Sequence, residues 1–521
     1  MGVDAHFFVD EAAHYAQIDL VADGTWVVDR PFADQDPEGV HAPMDRARLS
    51  GADEYAPFVN HPLSVWIGVA ADTVGGRFAV RIVSVLGAVG AAAAAAALAM
   101  RFRPGSGPLA LWLTGAVSPL LFDSQLIVAH TLGAAVVGGA AVWWLGSRRP
   151  TALVGAGLFV AGFVAVMLRS EAMLLVGAAA LVVTSTSLVR RDRARLIEAM
   201  AVVAGGGLAY VLEPAWIRRI VDAPDVAPRT IAAGSRGGLE GRIDALQTVV
   251  LKPSYEGLTD PLTDVLLVLA VVLLGVGVVL AVRGRIDLAR MSFVAAVVAT
   301  GLRLADPAVT PGILLAFPPL VIGVVLVGLG VHRPRGSEAV MVAVAGVFAG
   351  AVAVTQYRGA GGFEWGWRYV AIALPLVVPT IAVALMSLRD RIGPRPASQT
   401  VGAVILVSVL VALSGLLEQR AVIDRTDLLR DRLESEAAGV DHLLFLDPLL
   451  GRAMWQLSLS GVVVESEVDD AAEVLSWMRD AGDDEVLVVW VGGGALPIDA
   501  DPIGSLVELG VSDLRAIRVS P

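Results

Sequence analysis

Long apolar stretches recur along most of this chain, and they constrain its fold more than any other feature. A helix needs roughly 20 apolar residues to cross about 30 Å of hydrocarbon. Twelve stretches approach that length, at residues 78–100, 108–123, 126–146, 151–168, 171–189, 197–213, 261–282, 291–306, 312–331, 339–355, 369–388 and 400–418. Only 17% of the residues are charged, whereas soluble proteins carry about 25%. The sequence therefore predicts an all-α polytopic membrane bundle of about twelve transmembrane helices and excludes an ordinary soluble enzyme.

The connections between these stretches differ sharply in their arginine content. Six alternate connections hold sixteen arginines: Arg101, Arg103, Arg148, Arg149, Arg190, Arg191, Arg193, Arg195, Arg283, Arg285, Arg290, Arg333, Arg335, Arg389, Arg391 and Arg395. Loops rich in arginine and lysine stay in the cytoplasm. The pattern predicts a multi-pass cell-membrane protein whose first loop and C-terminal region are extracytoplasmic. In this orientation no apolar segment precedes the extracytoplasmic first loop. Either these residues cross the membrane unaided or one helix is missing from the N-terminus, and we expect the second.

The two ends of the chain differ in composition from its apolar middle. Residues 1–77 hold 13 acids and 4 bases, and residues 418–521 hold 21 acids and 8 bases. Near the C-terminus, 442–447 and 485–491 read as buried strands and 470–481 as an amphipathic helix. We expect an extracytoplasmic first loop with a juxtamembrane helix (1–77), a transmembrane core (78–420) and an independently folding soluble α/β domain (421–521). The net charge of −12 argues against a nucleic-acid partner.

Two polar motifs lie in the first 77 residues. Asp10 and Glu11 open a helical pattern, and a carboxylate there fits a general base, a ligand for a divalent cation, or a plain helix N-cap. His61 immediately precedes Pro62, and proline is favourable in the first turn of a helix. An imidazole at that point fits either a donor to phosphate oxygens or a structural histidine.

Further polar residues fall at the predicted outer turns. Asp123 ends one apolar stretch, and the sequence Leu-Arg-Ser-Glu places Arg169 and Glu171 at the next turn, where a local ion pair is also expected. The stretch 365–369, Trp-Gly-Trp-Arg-Tyr, contains Arg368 and Tyr369. A guanidinium group matches phosphate oxygens in a bidentate way. Arg368 therefore reads as a phosphate ligand or as an arginine extended to the membrane interface.

These motifs, over roughly residues 8–390, resemble the GT-C membrane glycosyltransferases. Among them the sequence is most similar to the group of protein O-mannosyltransferases and lipid A aminoarabinose transferases. The resemblance implies a GT-C-like bundle that moves a hexose or pentose, with inversion, from a polyprenyl-phosphate-linked donor to an acceptor hydroxyl on the extracytoplasmic face. The acceptor would be a lipid, a glycan or a protein, met at the membrane lipid.

The resemblance also assigns residues. It implies that Asp10 acts as the base, with Glu11 as its neighbour, and that both hold Mg²⁺ or Mn²⁺ where a divalent cation takes part. The implied donor-phosphate and substrate-binding residues are His61, Asp123, Arg169, Arg368 and Tyr369.

Two other functions fit a chain of this composition. Twelve spans are common in transporters and flippases of lipid-linked or cell-envelope substrates, but those proteins place ionisable groups near mid-membrane. The charges within these spans, at Arg81, Glu198 and Arg303, lie near span ends instead. The third interpretation is a membrane-anchored binding protein that acts through its acidic C-terminal domain.

The arginine asymmetry makes a testable prediction about orientation. A C-terminal alkaline phosphatase fusion is expected to be active, because the C-terminus is predicted to lie outside. A fusion after Arg149 is expected to be inactive, since that connection is predicted to be cytoplasmic. The reverse pattern of phosphatase activity would overturn the orientation.

Overall fold

The computed structural model describes residues 9–43, 48–50, 53–57, 61–127, 129–146, 151–221, 238–254, 259–355, 365–447, 450–491, 496–498, 501–508 and 514–521. Contacts divide the chain into two units. We name them the terminal unit, residues 1–80, 214–227 and 420–521, and the bundle unit, residues 81–213 and 228–419.

The bundle unit is built from helices. Those that lie in it wholly or in part are α2 (Pro62–Phe102), α3 (Gly107–Gly115), α4 (Pro119–Asp123), α5 (His130–Gly146), α6 (Thr151–Leu168), α7 (Ala172–Arg190), α8 (Arg193–Ile220), α9 (Gly238–Leu251), α10 (Pro261–Val282), α11 (Ile286–Arg303), α12 (Ile313–Ala316), α13 (Pro318–Gly328), α14 (Ser337–Thr355), α15 (Arg368–Ala371), α16 (Leu374–Ile392) and α17 (Pro394–Glu436). Helix α2 is kinked where Gly75 and Gly76 leave helical geometry.

Seven helices in the described part of the chain are long and apolar enough to cross a membrane, namely α2, α6, α7, α8, α10, α14 and α17. The chain is a membrane protein of mostly helical fold, as the apolar stretches predict. The other five predicted stretches form shorter, interrupted or more polar helices. The stretch 108–123 breaks between α3 and α4 before Pro119, and 312–331 breaks between α12 and α13 before Pro318. Proline disfavours helical geometry in the residue before it and lacks the N–H that a helix interior needs.

The terminal unit combines helices with two sheets. Its first part holds α1 (Val9–Ala22) and an antiparallel sheet of order β1-β3-β2, with strands Val28–Asp29, Arg48–Ser50 and Glu54–Ala56. Its second part holds β4 (His442–Phe445), α18 (Leu450–Ala453), α19 (Trp455–Leu459), β5 (Val463–Glu465), α20 (Ala471–Ala481), β6 (Val486–Val491), β7 (Asp501–Glu508) and β8 (Leu514–Ser520). These strands form one sheet of order β5-β4-β6-β8-β7. The small C-terminal α/β region is therefore present.

Alternating side chains give this C-terminal sheet two buried faces. Leu443 and Phe445 belong to one apolar cluster, whereas Leu444 belongs to the other. Neighbouring strand β6 alternates in the same way, because Leu443 pairs in register with Leu487 and Leu444 with Val488. Successive side chains of a strand point to opposite faces, so both faces are covered and the strands read as continuous apolar runs.

Residues from the N-terminal part pack on the C-terminal part of the same unit. The Tyr55 hydroxyl donates a 2.9 Å hydrogen bond to the Ser458 carbonyl, 403 residues away in sequence. Tyr15 of α1 stacks on Trp455 with ring centroids 5.9 Å apart. These contacts give the C-terminal region partners outside residues 421–521. The independent folding of that region stays a prediction, as do the domain boundaries at residues 77 and 421.

Candidate functional site

Four segments of the bundle unit bring polar side chains together. They are the end of α4 with Asp123, the start of α5 with His130, the connection from α6 to α7 with Arg169 and Glu171, and α15 with Arg368 and Tyr369. We name these six residues the arginine cluster. All six residues lie outside the seven candidate membrane spans.

The Tyr369 ring is the common contact of the arginine cluster. The guanidinium carbon of Arg368 lies 5.2 Å from the ring centroid, and that of Arg169 lies 6.0 Å away. The His130 ring is tilted against the same phenol at a centroid distance of 6.4 Å. A cation within about 6 Å of an aromatic centroid is attracted by the electron-rich face. The ring therefore holds two positive charges close together without neutralising them.

Glu171 pairs with Arg169 and lies close to His130. Its Oε1 accepts a 2.8 Å bond from Arg169 Nε and lies 3.5 Å from His130 Nε2. The local pair expected from the Leu-Arg-Ser-Glu sequence is thus present. Arg368 is only 6% exposed, so it is a buried cation rather than one extended to the membrane interface.

The backbone around Gly366 fixes where Arg368 lies. Gly366 has φ +61°, and a Cβ added there would come 2.6 Å from Pro119 Cγ. The amides of Gly366 and Trp367 donate to the carbonyls of Thr310 and Pro311. Trp365 stacks on Phe122 with centroids 5.7 Å apart. These contacts tie the start of α15 to the end of α4, next to Asp123.

Burial decides the protonation of Asp123. Loss of solvation, opposed in part by Arg368 and Arg169 and reinforced by Glu171, raises the pKa of Asp123 to about 7. Its Oδ2 is buried and makes no hydrogen bond within the described residues. A protonated Asp123 adds no charge beside Arg169 and Arg368, whereas an ionised Asp123 adds a negative one.

The structure thus brings together Asp123, Arg169, Arg368 and Tyr369 among the residues named from the sequence. Their binding roles stay predictions. The central position of Tyr369 and the packing of Trp365 on Phe122 were not apparent from the sequence, because both depend on contacts between distant segments. His130 carried only a weak signal, as a polar residue close to the turn at Asp123.

The other named residues belong to the terminal unit. Asp10 lies in α1, and its side chain falls outside the described residues. Glu11 is fully buried on the same helix, and His61 is 9% exposed. His61 has φ +52°, and its carbonyl accepts from the Ser64 amide and hydroxyl at the start of α2. The catalytic role of Asp10 and Glu11 and the binding role of His61 remain predictions.

The described residues contain no group of three or more metal-ligating side chains that could hold an ion. Of the two carboxylates proposed to bind Mg²⁺ or Mn²⁺, only Glu11 has a described side chain.

Comparisons with known proteins give distant similarities. No family model matches the chain, and no curated protein matches it. Among solved structures, it is similar to ArnT from Cupriavidus metallidurans in the apo state, at 13% identity and a TM-score of 0.42, over 99% of this chain and 94% of that one. The same protein bound to undecaprenyl phosphate gives 14% identity and a TM-score of 0.45 over the same shares. The Archaeoglobus fulgidus oligosaccharyltransferase complex with Zn and sulfate gives 11% identity and a TM-score of 0.43, over 92% of this chain and 63% of that one.

The charge balance of the arginine cluster predicts a pH dependence of anion binding. Below about pH 7 Asp123 is protonated and uncharged; above it the new carboxylate opposes an anion. Sulfate, which does not titrate in this range, should therefore bind several-fold more weakly at pH 8 than at pH 6. Sulfate-induced thermal stabilisation of the purified protein measures this.

Two variants separate Asp123 from other titrating groups. Asp123→Asn stays neutral, so it should keep strong sulfate binding at pH 8, and any slope that remains belongs to other titrating groups. Asp287→Asn, at an exposed position of α11, should retain the full pH dependence. Equal pH slopes for Asp123→Asn and the unsubstituted protein would show that Asp123 does not titrate here.

Gly366 makes a prediction about stability. Gly366→Ala forces a side chain into left-handed backbone and against Pro119, which should cost about 1–3 kcal/mol. Gly350→Ala is the matched control, because a Cβ there meets nothing within 4 Å. We expect the melting temperature to fall for the first variant alone. Equal melting temperatures would mean that the 365–369 segment accommodates the methyl group.

Proposed function

We propose that the protein is a membrane glycosyltransferase that moves a sugar from a polyprenyl-phosphate-linked donor to an acceptor hydroxyl on the extracytoplasmic face. The observation that carries the proposal is the arginine cluster: the buried Arg368 and the partly buried Arg169 lie beside one phenol ring, at the ends of apolar helices. Guanidinium groups suit phosphate oxygens, because their planar N–H donors bind two oxygens at once.

The surroundings of the cluster fit a phosphate that carries a long apolar chain. The bundle unit contains an apolar cavity. Its lining includes Ala165 of α6 and Ala172 of α7, the helices that precede and follow the Arg169–Glu171 connection. It is lined further along by residues of α5, α8, α14 and α16. A charged head at the cluster and an apolar chain among these helices would each meet matching chemistry.

The proposed reaction is a displacement at the anomeric carbon. Asp10, assigned by the sequence resemblance, takes the proton of the acceptor hydroxyl, whose oxygen attacks the anomeric carbon. The bond from that carbon to the phosphate oxygen breaks, and the electron pair leaves with polyprenyl phosphate. Attack opposite the leaving group inverts the configuration.

Charge accounts for the role of the arginines in this reaction. The donor phosphodiester carries one negative charge, and the departing phosphate monoester gains a second as the bond breaks. Fixed cations at the phosphate therefore bind the transition state more strongly than the donor, which is the condition for catalysis. No strong general acid is needed, since phosphate is already a good leaving group.

The position of charged groups within the helices favours a transferase over a transporter or flippase. Glu198 lies in the second turn of α8 and Arg303 is the last residue of α11. In the described part of the bundle unit, the arginine cluster likewise lies at helix ends. A permeation path would need such groups within the spans.

Two variants test the proposal in membranes supplied with labelled polyprenyl-phosphate sugars. Asp10→Asn keeps its shape but loses basicity, so turnover should fall about 10²–10⁴-fold with donor binding nearly unchanged. Arg368→Ala should lower donor affinity about 10- to 100-fold as well as turnover, because it removes a charge-assisted contact. Arg290→Ala, at an exposed ion pair of α11, is the control and should leave both unchanged.

Each outcome has a distinct meaning. Wild-type transfer by Asp10→Asn would move the base elsewhere, and Glu11→Gln would be tested next. Unchanged donor affinity in Arg368→Ala would exclude the arginine cluster as the phosphate site. Donor movement across the membrane without transfer of sugar would favour the flippase function.

A further inference from the structure

The terminal unit contains a polar cleft, and none of the residues that the proposed reaction uses lines it. It has a volume of about 500 Å³, within the ~300–1,000 Å³ range of small-molecule sites. Three helices supply its polar lining, which consists of Asp19, Asp23, Asp72, Trp455, Gln456 and Ser460. The first two residues come from the end of α1 and the segment after it, Asp72 from α2, and the rest from α19 and its C-terminal side. We name this the Trp455 cleft.

The charge of the Trp455 cleft excludes an anionic ligand. Arg77 contacts the carboxylate of Asp19 and lies 3.9 Å from that of Asp72. The same guanidinium group lies 5.7 Å from the Trp455 ring centroid. Arg77 therefore compensates Asp19 and Asp72 in part, Asp23 adds a third carboxylate to the lining, and the excess is negative. A phosphate or a uronic acid would be repelled.

Two consecutive residues of the cleft leave polar atoms without hydrogen bonds. Trp455 is 4% exposed, and its Nε1 has no partner within the described residues. Gln456 Oε1 is also buried and has no hydrogen-bond partner within the described residues. Buried polar atoms are normally hydrogen-bonded to protein or to ordered water. An indole N–H only donates and an amide oxygen only accepts, so a ligand that completes both must accept and donate.

This requirement distinguishes between classes of ligand. An ammonium group donates but cannot accept from Trp455, and a metal ion would need a set of oxygen ligands. The described residues contain no such cluster of three. A hydroxyl group both donates and accepts, and neighbouring hydroxyls would also donate to the carboxylates around the cleft.

We infer that the Trp455 cleft binds an uncharged carbohydrate through its hydroxyl groups. This goes beyond the proposed transfer reaction, which does not name the acceptor. The identity of the bound sugar rests on the proposed reaction. If that reaction is correct, the sugar held in the cleft belongs to a neutral glycan acceptor rather than to the donor.

Binding is measured by saturation-transfer difference NMR on the full-length protein in detergent, without donor. The probes are methyl glycosides of a neutral hexose and a neutral pentose, with glucuronic acid and glucosamine as charged comparators. We expect saturation transfer to the neutral glycosides and none to glucuronic acid. Trp455→Phe removes the indole N–H and retains a smaller aromatic ring, and Gln456→Leu removes the amide at similar size. Each should weaken binding roughly three- to tenfold, the loss of one hydrogen bond.

Trp477→Phe is the matched control, because Trp477 packs on the His41 ring in the same unit and does not line the cleft. It should bind the neutral glycosides like the unsubstituted protein. Absence of saturation transfer to every neutral glycoside, or unchanged affinity in both cleft variants, would overturn the inference. A preference for glucosamine would overturn it too and make the cleft a cation site. Because no donor is present, neutral-glycoside binding without any transferase activity would leave the inference intact while the proposed function failed.

Discussion

The arginine cluster depends on a balance between burial and charge. Removing a guanidinium group from water costs several kcal/mol unless other groups compensate. Here the face of Tyr369 lies beside both Arg169 and Arg368, and Glu171 pairs with Arg169. A phosphate bound at the cluster, as proposed, would add its own negative charge to this compensation.

Helix ends are the natural place for such a cluster in a membrane bundle. Within hydrocarbon every backbone polar group must be bonded inside the protein, so irregular backbone is confined to places where protein or water surrounds it. The left-handed backbone at Gly366 and Trp367 is such a place, since its amides are bonded to Thr310 and Pro311. The same segment packs Trp365 on Phe122, so one short stretch of chain both anchors itself and presents Arg368.

The sequence was sufficient to predict the features that depend on local pattern. Apolar length predicted the helices, the spacing of Arg169 and Glu171 predicted their ion pair, and apolar runs predicted strands β4 and β6. The interruptions before Pro119 and Pro318 were also visible as prolines, but apolar length outweighed them in the count of twelve spans. Features that join distant segments had no local signal. The Tyr55–Ser458 bond and the shared contacts of Tyr369 depend on tertiary packing, which no single stretch of sequence encodes.

The buried Asp123 carboxyl links the occupancy of the arginine cluster to protons in solution. Thermodynamic reciprocity requires that, if protonation strengthens anion binding, anion binding strengthens protonation by the same factor. Near neutral pH, where Asp123 is partly ionised, an arriving anion would therefore take up a fraction of a proton from the buffer, and its departure would release it. The measured heat of binding would then depend on the ionisation enthalpy of the buffer. In the proposed reaction, the cluster would exchange protons with solvent through Asp123, which takes no part in breaking the bond.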